Sequence, residues 1–318
     1  MNATSDGRSF AVTSGVSRSL QAWVDGDRPS VVPRDASTVL IVRDAPRGVG
    51  GVEVFMQMRA ATMAFAPSVY VFPGGGVDRR DDDPALPWAG PSPAQWATRL
   101  ATRDEDQARR LVVAAVREVF EECGVLLAGP EAGSVVSDVT GPEWSAARTQ
   151  LAGRERAFAQ ILAERGLAVR TDLLRLCDHW VAPEFEAHRY DTRFFTALLP
   201  HGQVPDDDCR EAEHVRWVRP QDLLDELGAG RVRLFPPTIV RLEALAAARD
   251  AASFVRQDHR VRTWRPELAL TPDGVGVVVP GLPPSPAGVG ERVVDERVVD
   301  EHGEAHEESR LHPPGEPQ

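Results

Sequence analysis

The sequence predicts an α/β protein, because segments with strand-like and helical patterns alternate along the chain. Runs rich in β-branched and aromatic residues, "STVLIVRD" from Ser37 and "VEVFMQMR" from Val52, are typical of strands. From about Glu105 to Leu126, apolar residues recur every three or four positions, which is typical of an amphipathic helix. The length of 318 residues, with 42% hydrophobic and 26% charged content, allows a sizeable core.

The first elements follow a segment without a clear pattern. Residues 1–34 are rich in Ser, Gly, Asp and Arg, and we expect them to be flexible or loosely docked. The loop "APRGVGG" joins the first two strands as a hairpin, and a third strand, "SVYVFPGGG", ends in glycines. The stretch "DRRDDDPALPWAGPSPAQW" is polar and proline-rich. We interpret it as an insertion loop, and "RRDDD" at 79–83 as a solvated part of that loop.

Further strands and helices follow the long helix. We expect a second helix within Pro142 to Arg165, strands in "LCDHWVAP", "RYDTRFFTALLP" and "HVRWVRP", and helices in "PQDLLDEL" and "PPTIVRLEALAAARDAASFV". The segment "RPELALTPDGVGVVVPG" predicts a terminal hairpin around "PDG". Residues 283–318, with "ERVVD" twice in succession, predict a disordered acidic tail.

Charge and cysteine content exclude some functions. The formal net charge is −12, about half of it from residues 291–318, which argues against binding nucleic acid through a net positive charge. Three widely spaced cysteines without a Cys-x-x-Cys pair suit free thiols in a reducing compartment. The sequence has no run of 18 apolar residues, no apolar leader segment and no peroxisomal tripeptide at "PGEPQ". We therefore expect a cytoplasmic protein that does not span a membrane.

Three acids lie close together near the end of the long helix. Glu118, Glu121 and Glu122 stand at positions i, i+3 and i+4, so their carboxylates share one face just before Gly124. Like charges at this spacing, at the negative end of a helix, are unfavourable unless a cation joins them. Hard ions such as Mg²⁺ prefer carboxylate oxygens. We predict that the acids lie exposed along a groove edge and bind a metal; the alternative is a solvated helix end.

The residues around these acids resemble a family signature. The third strand ends in "FPGGGVD" and the helix ends in "REVFEECGV". Together they resemble the signature of the Nudix hydrolases, a glycine followed by Arg-Glu-aliphatic-x-Glu-Glu-x-Gly-aliphatic. Gly75 lies 42 positions before Arg117, where the family pattern has 14, so 28 residues are inserted. The family's intervening glutamate falls on Arg109, and Glu105 and Asp106 are the nearby acids that could replace it.

The insertion and several further segments are similar to one branch of this family. "VFPGG", "REVFEECGVLL", "HRYDTRFFTALLP" and "FPPT" resemble the enzymes related to the mammalian peroxisomal coenzyme A diphosphatase. The resemblance spans roughly residues 36–282. It implies an α/β/α sandwich with a mixed central sheet in a domain of residues 35–282, with the insertion at about 79–104.

The resemblance also implies a chemistry. It predicts a metal-dependent hydrolase that cleaves the phosphoanhydride of a nucleoside-diphosphate-linked small molecule, of the coenzyme A or acyl-CoA type. An ADP-ribose or NADH pyrophosphatase and a non-catalytic nucleotide sensor are the alternatives. The cofactor would be Mg²⁺ or Mn²⁺, held by Glu121 and Glu122, with Glu118 as ligand or general base. A backbone carbonyl of Gly75 would add a ligand, and Arg117 would orient a glutamate.

Substrate-binding residues are less clearly marked. Arg59, at the end of the second strand, is a candidate for a substrate phosphate; with the following alanine and "FPGG" it matches half of the Nudix coenzyme A motif. Ala64 and Ser68 occupy that motif's second arginine and its glycine. Glu211 and Glu213, ahead of "HVRWV", are candidates for a further acid near the metal, or belong to a solvated turn.

Aromatic residues and oligomeric state leave alternatives open. Trp180, Phe185 and Tyr190 either stack on an adenine or belong to the core. Homodimers occur among members of the family, so a homodimer is an alternative to a monomer, although no residue in the sequence requires one.

Overall fold

An eight-stranded mixed sheet forms the centre of the computed structural model, which describes residues 7–12, 23, 26, 30–59, 69–206, 212–271, 274–286 and 292–293. The strands are β1 (Gly7–Val12), β2 (Arg34–Asp44), β3 (Val52–Arg59), β4 (Tyr70–Val71), β5 (Gly74–Gly76), β6 (Trp88–Ala89), β7 (Ala128–Gly129), β8 (Ala168–Arg170), β9 (Arg175–Val181), β10 (Tyr190–Leu198), β11 (Ala212–Val218), β12 (Thr263–Trp264), β13 (Glu267–Thr271), β14 (Gly274–Pro280) and β15 (Arg292–Val293).

Seven helices of the described residues surround the sheets. They are α1 (Pro93–Leu100), α2 (Glu105–Cys123), α3 (Pro142–Ala152), α4 (Phe158–Glu164), α5 (Pro220–Gly228), α6 (Pro236–Ala246) and α7 (Ala251–Arg256). Two short 3₁₀ turns, Arg79–Asp81 and Thr171–Leu173, lie between the strands.

The central sheet runs in the order β11-β3-β2-β10-β9-β12. β2 is parallel to β10 and antiparallel to β3, so the sheet is mixed, as predicted. On the side of β2 opposite β10, two strands pair with it. The second half of β2 pairs with β3, and its first half pairs with the glycine strand β5 at Ala36 to Thr38. This arrangement brings β5 to the centre of the sheet.

Both faces of the sheet are covered by helices. In β2, Val39 and Ile41 point into a core shared with α1 to α4, whereas Leu40 and Val42 point into a second core shared with α5 to α7. Successive strand residues point to opposite faces, so a continuous apolar run in β2 is what a sheet buried on both sides needs. The α/β/α sandwich implied by the family resemblance is confirmed.

The inserted segment is ordered, and the prediction that it is a loop is wrong. It contains the 3₁₀ turn at Arg79–Asp81, strand β6 and helix α1. Ser92 caps α1 in a reciprocal capping box with Gln95, and Pro93 occupies the first helical position. Trp96 is fully buried in the core against α2. The sequence "SPAQW" therefore indicates the start of a helix, although the prolines of the surrounding segment indicated a loop.

Two predicted helices are each broken in two. The second helix, expected within 142–165, divides into α3 and α4, and the expected helix from Pro236 divides into α6 and α7. The second break comes where Asp250 caps α7 by accepting a hydrogen bond from the backbone N–H of Ser253 (2.6 Å). An Asp with this geometry starts a new helix and does not continue the old one.

A second sheet joins the two ends of the chain. The predicted terminal hairpin forms between β13 and β14, and β1 pairs antiparallel with β14. Residues 7–12 of the N-terminal segment thus form a strand, although we expected residues 1–34 to be flexible. Arg292–Val293, in the predicted disordered tail, pair in parallel with Ala11–Val12. His302, His306 and His312 of that tail lie outside the described residues.

The described cysteines agree with the prediction of free thiols. Cys123 and Cys177 are buried thiols, and Cys209 lies outside the described residues. None of the helices in the described part of the chain is long and apolar enough to cross a membrane.

Candidate active site

Helix α2 carries the acids and has a defined start and end. Asp104 caps its first turn by accepting a hydrogen bond from the N–H of Gln107 (2.7 Å). Gly124 ends it in the left-handed conformation, with φ +69°, and donates to the carbonyl of Phe120. Because only glycine adopts this conformation without strain, the helix stops directly after Cys123, and the acids belong to its last two turns.

Two of the three acids are buried, which corrects the expectation of an exposed groove edge. Glu118 is 9% exposed and Glu122 is 6% exposed, whereas Glu121 is partly exposed. The helix is covered on more sides than its apolar stripe predicts, because the insertion and β5 pack against it as well. Burying carboxylates is costly unless each is hydrogen-bonded or paired with a cation.

Arg117 connects the acids to their surroundings. Its Nη1 donates to Oε1 of Glu118 (2.8 Å) and to Oε2 of Glu121 (3.4 Å). Its Nη2 donates to the backbone carbonyl of Gly76 (3.0 Å). The predicted role of Arg117, orienting a glutamate, is compatible with these contacts, since a planar guanidinium fixes the direction of each bond.

Glu122 has a separate set of donors. Gln57 of β3 donates through Nε2 to Oε2 of Glu122 (2.7 Å), and the N–H of Gly74 donates to the same oxygen (2.7 Å). Glu122 therefore ties α2 to β3 and to the glycine strand. Gln57 was missed at the sequence level, because its role depends on the pairing of strands distant in sequence.

Gly75 lies directly against Glu118. A Cβ on Gly75 would stand 2.7 Å from Cδ of Glu118, so no larger residue fits without displacing the carboxylate. A Cβ on Gly76, by contrast, would meet nothing closer than a ring carbon of Tyr190 at 4.0 Å. The carboxylate of Glu118 thus packs directly against the backbone of Gly75.

The electrostatic environment of Glu118 is unusual. Burial raises the pKa of Glu118 to about 7; the charge of Arg117 opposes this effect and the charge of Glu121 adds to it. For Arg117, burial alone would lower the pKa, but the hydrogen bond to Asp81 and the charges of Glu118, Asp81 and Glu121 raise it above its usual value. Arg117 is therefore always charged, while Glu118 can gain or lose a proton near neutral pH.

Asp81 of the insertion is part of this site. It is 1% exposed, and its two oxygens accept from Nε (2.7 Å) and Nη2 (3.0 Å) of Arg117. The interpretation of 79–83 as a solvated loop is wrong at this residue. A sequence signal does distinguish Asp81 from the two acids that follow it: counted forward from Gly75, the family's intervening acid falls six positions on, at Asp81, whereas counting back from Arg117 gave Arg109.

A cavity of about 370 Å³ lies on the other face of the central sheet. Ser37 of β2 points toward α2 and donates to the carbonyl of Leu111 (2.7 Å), whereas its neighbours Ala36 and Thr38 line the cavity. All three glycines of β5 also line it. The three glutamates are not among the described residues that line the cavity, so β5 lies between the cavity and the acids.

The cavity has a few polar groups and extensive apolar walls. The polar side chains are Thr38, Arg59, Glu186, His188, Tyr190, Thr192 and Thr238. The apolar walls include Phe72, Trp180, Phe194, Phe235, Leu268 and Val277. Small-molecule sites commonly combine apolar walls with a few polar groups in this way.

The predicted substrate-binding residues separate into three groups. Arg59 lines the cavity, as do the aromatic residues Trp180, Phe185 and Tyr190. Glu213 is solvent-exposed at the start of β11 and is not among the residues lining the cavity. Glu211 lies outside the described residues, as do Ala64 and Ser68.

The donor set fits a hard divalent cation by its chemistry. Asp81, Glu118 and Glu121 share the single guanidinium of Arg117, an excess of negative charge that a divalent ion would balance. All the available ligands are oxygens. As the side chains stand, they face protein donors, and no three acid, histidine or cysteine side chains of the described residues form a ready metal cage.

Comparison with known proteins identifies the family. Residues 33–245 match the family model described as the NUDT19 Nudix domain. The chain belongs to the Nudix hydrolase family. It falls in the NUDT19 branch and is a hydrolase of acid anhydrides in phosphorus-containing substrates, which confirms the class of enzyme predicted from the sequence.

The similarity of this Nudix hydrolase to individual relatives is moderate and extends over most of each chain. It is 24% identical to acyl-coenzyme A diphosphatase NUDT19 of Xenopus laevis, covering 76% of this chain and 74% of the relative. It is 25% identical to acyl-coenzyme A diphosphatase NUDT19 of Homo sapiens, covering 74% and 73%.

A solved structure has the same fold. The Nudix hydrolase from Alicyclobacillus acidocaldarius is 29% identical, with a TM-score of 0.60, and the match covers 72% of this chain and 98% of that chain. In the present chain, β1 and the β13–β14 hairpin lie outside residues 33–245, which match the family model. Leu268 and Val277 of this hairpin nevertheless line the cavity.

Proposed function

We propose that this Nudix hydrolase uses Mg²⁺ or Mn²⁺ to cleave the phosphoanhydride of a nucleoside-diphosphate-linked substrate, of the acyl-CoA or coenzyme A type. The observation that carries the proposal is the glycine strand β5, which borders the apolar cavity and contacts the acids of α2. A strand without side chains allows a phosphate in the cavity to approach the backbone and the acids closely.

The metal would be held by Glu118, Glu121 and Glu122, with the carbonyl of Gly75. When bound, a divalent ion supplies charge neutralisation on the phosphate oxygens and lowers the pKa of an attacking water. Arg117 holds Glu118 by a charge-assisted hydrogen bond and keeps its carboxylate next to Gly75.

Glu118 is the candidate general base. In the metal-free protein, burial raises the pKa of Glu118 to about 7. As a general base, its carboxylate would accept a proton from water as the water oxygen attacks phosphorus. The bond from that phosphorus to the bridging oxygen then breaks, and the second phosphate leaves. Ligand and general base remain alternative roles for Glu118, because its carboxylate contacts both Arg117 and the glycine strand.

The walls of the cavity favour an acyl-CoA or coenzyme A substrate over ADP-ribose or NADH. Phe72, Phe194 and Leu268 present apolar surface to the cavity. A fatty acyl chain or the pantetheine arm of coenzyme A would bury apolar surface against these side chains, whereas the second ribose of ADP-ribose or NADH is polar. Two relatives are named acyl-coenzyme A diphosphatases, which supports the same choice. Arg59 is the candidate for a substrate phosphate, and the aromatic side chains of the cavity are candidates for stacking on adenine.

A substrate panel tests the proposal. With Mn²⁺ or Mg²⁺, we expect turnover of acyl-CoA and coenzyme A above that of ADP-ribose, NADH and diadenosine polyphosphates. Glu121→Gln should lower kcat by at least about 100-fold, since a metal ligand is removed and the partly exposed side chain carries little of the fold. Glu213→Gln is the matched control and should retain activity if Glu213 has no part in the site. Absence of turnover with every substrate would exclude the proposal.

A non-catalytic nucleotide sensor is the rival function. A sensor would be stabilised against heat by Mn²⁺ and one nucleotide, and would release no product from it. Three clustered carboxylates favour the enzyme, because binding a polyphosphate by itself does not need them. Thermal unfolding measured beside product analysis, on the same samples, separates the two functions.

A further inference from the structure

The cavity crosses the central sheet from the glycine strand toward the opposite edge. Its floor is formed by Thr38 of β2, Thr192 and Phe194 of β10 and Trp180 of β9, three strands that are neighbours in that order. β5 pairs with β2 at one side of this floor, and β12 pairs with β9 at the other. Neighbouring strands lie about 4.8 Å apart, so the distance across the sheet from β5 to β12 is about 19 Å.

The β13–β14 hairpin lies at the β12 side of the cavity. β13 begins three residues after Trp264 of β12, and Leu268 of β13 is the cross-strand neighbour of Val277 of β14. Nε1 of Trp264 donates to Oδ1 of Asp178 (2.9 Å), and its ring packs against Trp180 with 6.1 Å between ring centroids. These contacts hold the start of the hairpin to β9, and both Leu268 and Val277 line the cavity.

The two sides of the cavity differ in charge. Arg59 belongs to β3, which lies on the side of β2 away from β10. Glu186 and His188 belong to the loop between β9 and β10, where an acid disfavours a phosphate. At the hairpin, Leu268 and Val277 are apolar. The phosphorylated nucleotide half of a coenzyme A substrate therefore fits the Arg59 side, and its uncharged half fits the hairpin side.

The length of the pantetheine arm is consistent with this orientation. About twelve bonds join its phosphate oxygen to its sulfur, as many as in about four residues of extended chain, which span about 14 Å. With the phosphoanhydride at β5, the sulfur would lie about one strand short of β12. An acyl chain on that sulfur would continue to Leu268 and Val277, whereas free coenzyme A would end before the hairpin.

We propose that the β13–β14 hairpin binds the acyl chain of the substrate, with Leu268 and Val277 as specificity-determining residues. The inference rests on the proposed function for its substrate, and it deepens that function by favouring acyl-CoA over free coenzyme A. Burying the acyl chain against these two side chains removes apolar surface from water. The preference for acyl chains is thus set by a hairpin outside the residues that match the family model.

Leu268→Trp should block the acyl end of the cavity. Leu268 is partly exposed, so a larger side chain at this position displaces little of the core. We expect kcat/KM for lauroyl-CoA to fall at least about 10-fold, because each methylene that loses apolar contact costs about fourfold. The kcat/KM for free coenzyme A and for acetyl-CoA should remain within about twofold of wild type.

Val277→Ala and Val278→Ala form a matched pair. The two valines are adjacent in β14 and each is 6% exposed, but successive strand residues point to opposite faces. Val277 lines the cavity, and Val278 is not among the described residues that do. Val277→Ala should lower the ratio of kcat/KM for lauroyl-CoA to that for coenzyme A about 3- to 10-fold. Val278→Ala should leave this ratio unchanged while losing similar thermal stability.

Binding measured without turnover gives a second readout. In the presence of a chelator and below the micelle concentration of lauroyl-CoA, calorimetry should show its Kd at least about 10-fold higher in Leu268→Trp, with Kd for coenzyme A unchanged. If Leu268→Trp does not fold, the valine pair provides the same comparison.

Three results would overturn the inference. They are equal losses for coenzyme A and lauroyl-CoA in Leu268→Trp, which would put the nucleotide half at the hairpin, equal effects of the two valine variants, and a wild type that neither binds nor hydrolyses lauroyl-CoA better than coenzyme A. A wild type that binds lauroyl-CoA more tightly but hydrolyses no substrate would refute the proposed function and support the acyl site.

Discussion

At the scale of single residues, the acids of α2 lie at an end of the helix that repels anions, and arginines compensate for this. Arg148 of α3 donates to the carbonyls of Glu121 (3.2 Å) and Glu122 (3.4 Å), so its positive charge stands at the negative end of the helix dipole. It also pairs with Asp206. Arg117 compensates for the carboxylates from within the helix. The fold thus accepts an unfavourable arrangement of acids because two arginines offset part of its cost.

Glu118 should make the stability of the metal-free protein depend on pH. Burial raises its pKa from 4.5 to about 7, so between these values the folded state holds a proton that the unfolded state has released. The contribution of Glu118 to the free energy of unfolding therefore falls as pH rises from 4.5 to 7, by on the order of 3 kcal/mol, and is constant above that.

The variant Glu118→Gln removes this dependence and provides the comparison. In the presence of a chelator, we expect the free energy of unfolding of the wild type, minus that of Glu118→Gln, to decrease between pH 5 and pH 8 in urea titrations. Parallel curves for the two proteins over this range would contradict the prediction.

At the scale of secondary-structure elements, the glycine strand β5 joins α2 to the sheet. It pairs with β2 through Ala36 to Thr38, and its Gly74 donates to Glu122 while Gly76 accepts from Arg117. The backbone of β5 thus contacts the acidic segment of α2 at Arg117 and at Glu122. The side-chain-free surface of β5 is needed because Glu118 occupies the space where a side chain of residue 75 would stand.

Gly75→Ala should damage this contact, and Gly76→Ala is its matched control. The new Cβ at residue 75 would overlap the carboxylate of Glu118, whereas the one at residue 76 meets open space. We expect Gly75→Ala to lose about 1–3 kcal/mol of stability and at least about 10-fold in kcat, since the buried acid must shift.

Gly76→Ala should change stability by no more than about 0.5 kcal/mol, because its carbonyl remains available to Arg117. Urea unfolding and steady-state kinetics on the two variants check the pair. Equal losses in both would show that any side chain on β5 is harmful, and that the contact with Glu118 is not the cause.

At the scale of the whole molecule, the sheet of β1, β13, β14 and β15 contributes to the wall of the cavity. β1 and the β13–β14 hairpin pack on the core of α5 to α7, and the cross-strand neighbours Leu268 and Val277 form part of the cavity wall. Arg8 of β1 makes a bidentate pair with Glu243 of α6 (2.6 and 2.9 Å), with both side chains buried. The sheet is thereby held to the catalytic domain by charge as well as by apolar packing.

Arg8→Met should destabilise the protein, because it leaves Glu243 buried beside only the hydroxyl of Ser285 among the contacts described. Breaking one side of a buried pair costs about 3–5 kcal/mol, whereas replacing both sides by apolar residues is often close to neutral. We therefore expect Arg8→Met/Glu243→Met to be more stable than Arg8→Met in thermal unfolding. A double variant less stable than the single one would contradict this.

Patterns that are local in sequence predicted much of the fold. The strands β2, β3, β9 and β10, the long helix and the terminal hairpin follow from apolar periodicity and turn residues, each of which acts within a few positions. Helix α1 was missed because its prolines indicated a loop, although its capping box was present in the sequence. The breaks between α3 and α4 and between α6 and α7 were missed because both halves of each predicted helix carry suitable residues.

The sequence alone determined the residues of the candidate site: three acids on one helix face after an arginine, a glycine stop, and a glycine-rich strand end, all within short motifs. Only the tertiary structure decided which carboxylates are buried, that Gln57 and Gly74 hold Glu122, and that Asp81 pairs with Arg117. Burial and pairing depend on segments that meet across the fold, 36 positions apart for Asp81 and 65 for Gln57. No local pattern encodes such a meeting, because it arises from the packing of the insertion, the sheet and α2 against one another.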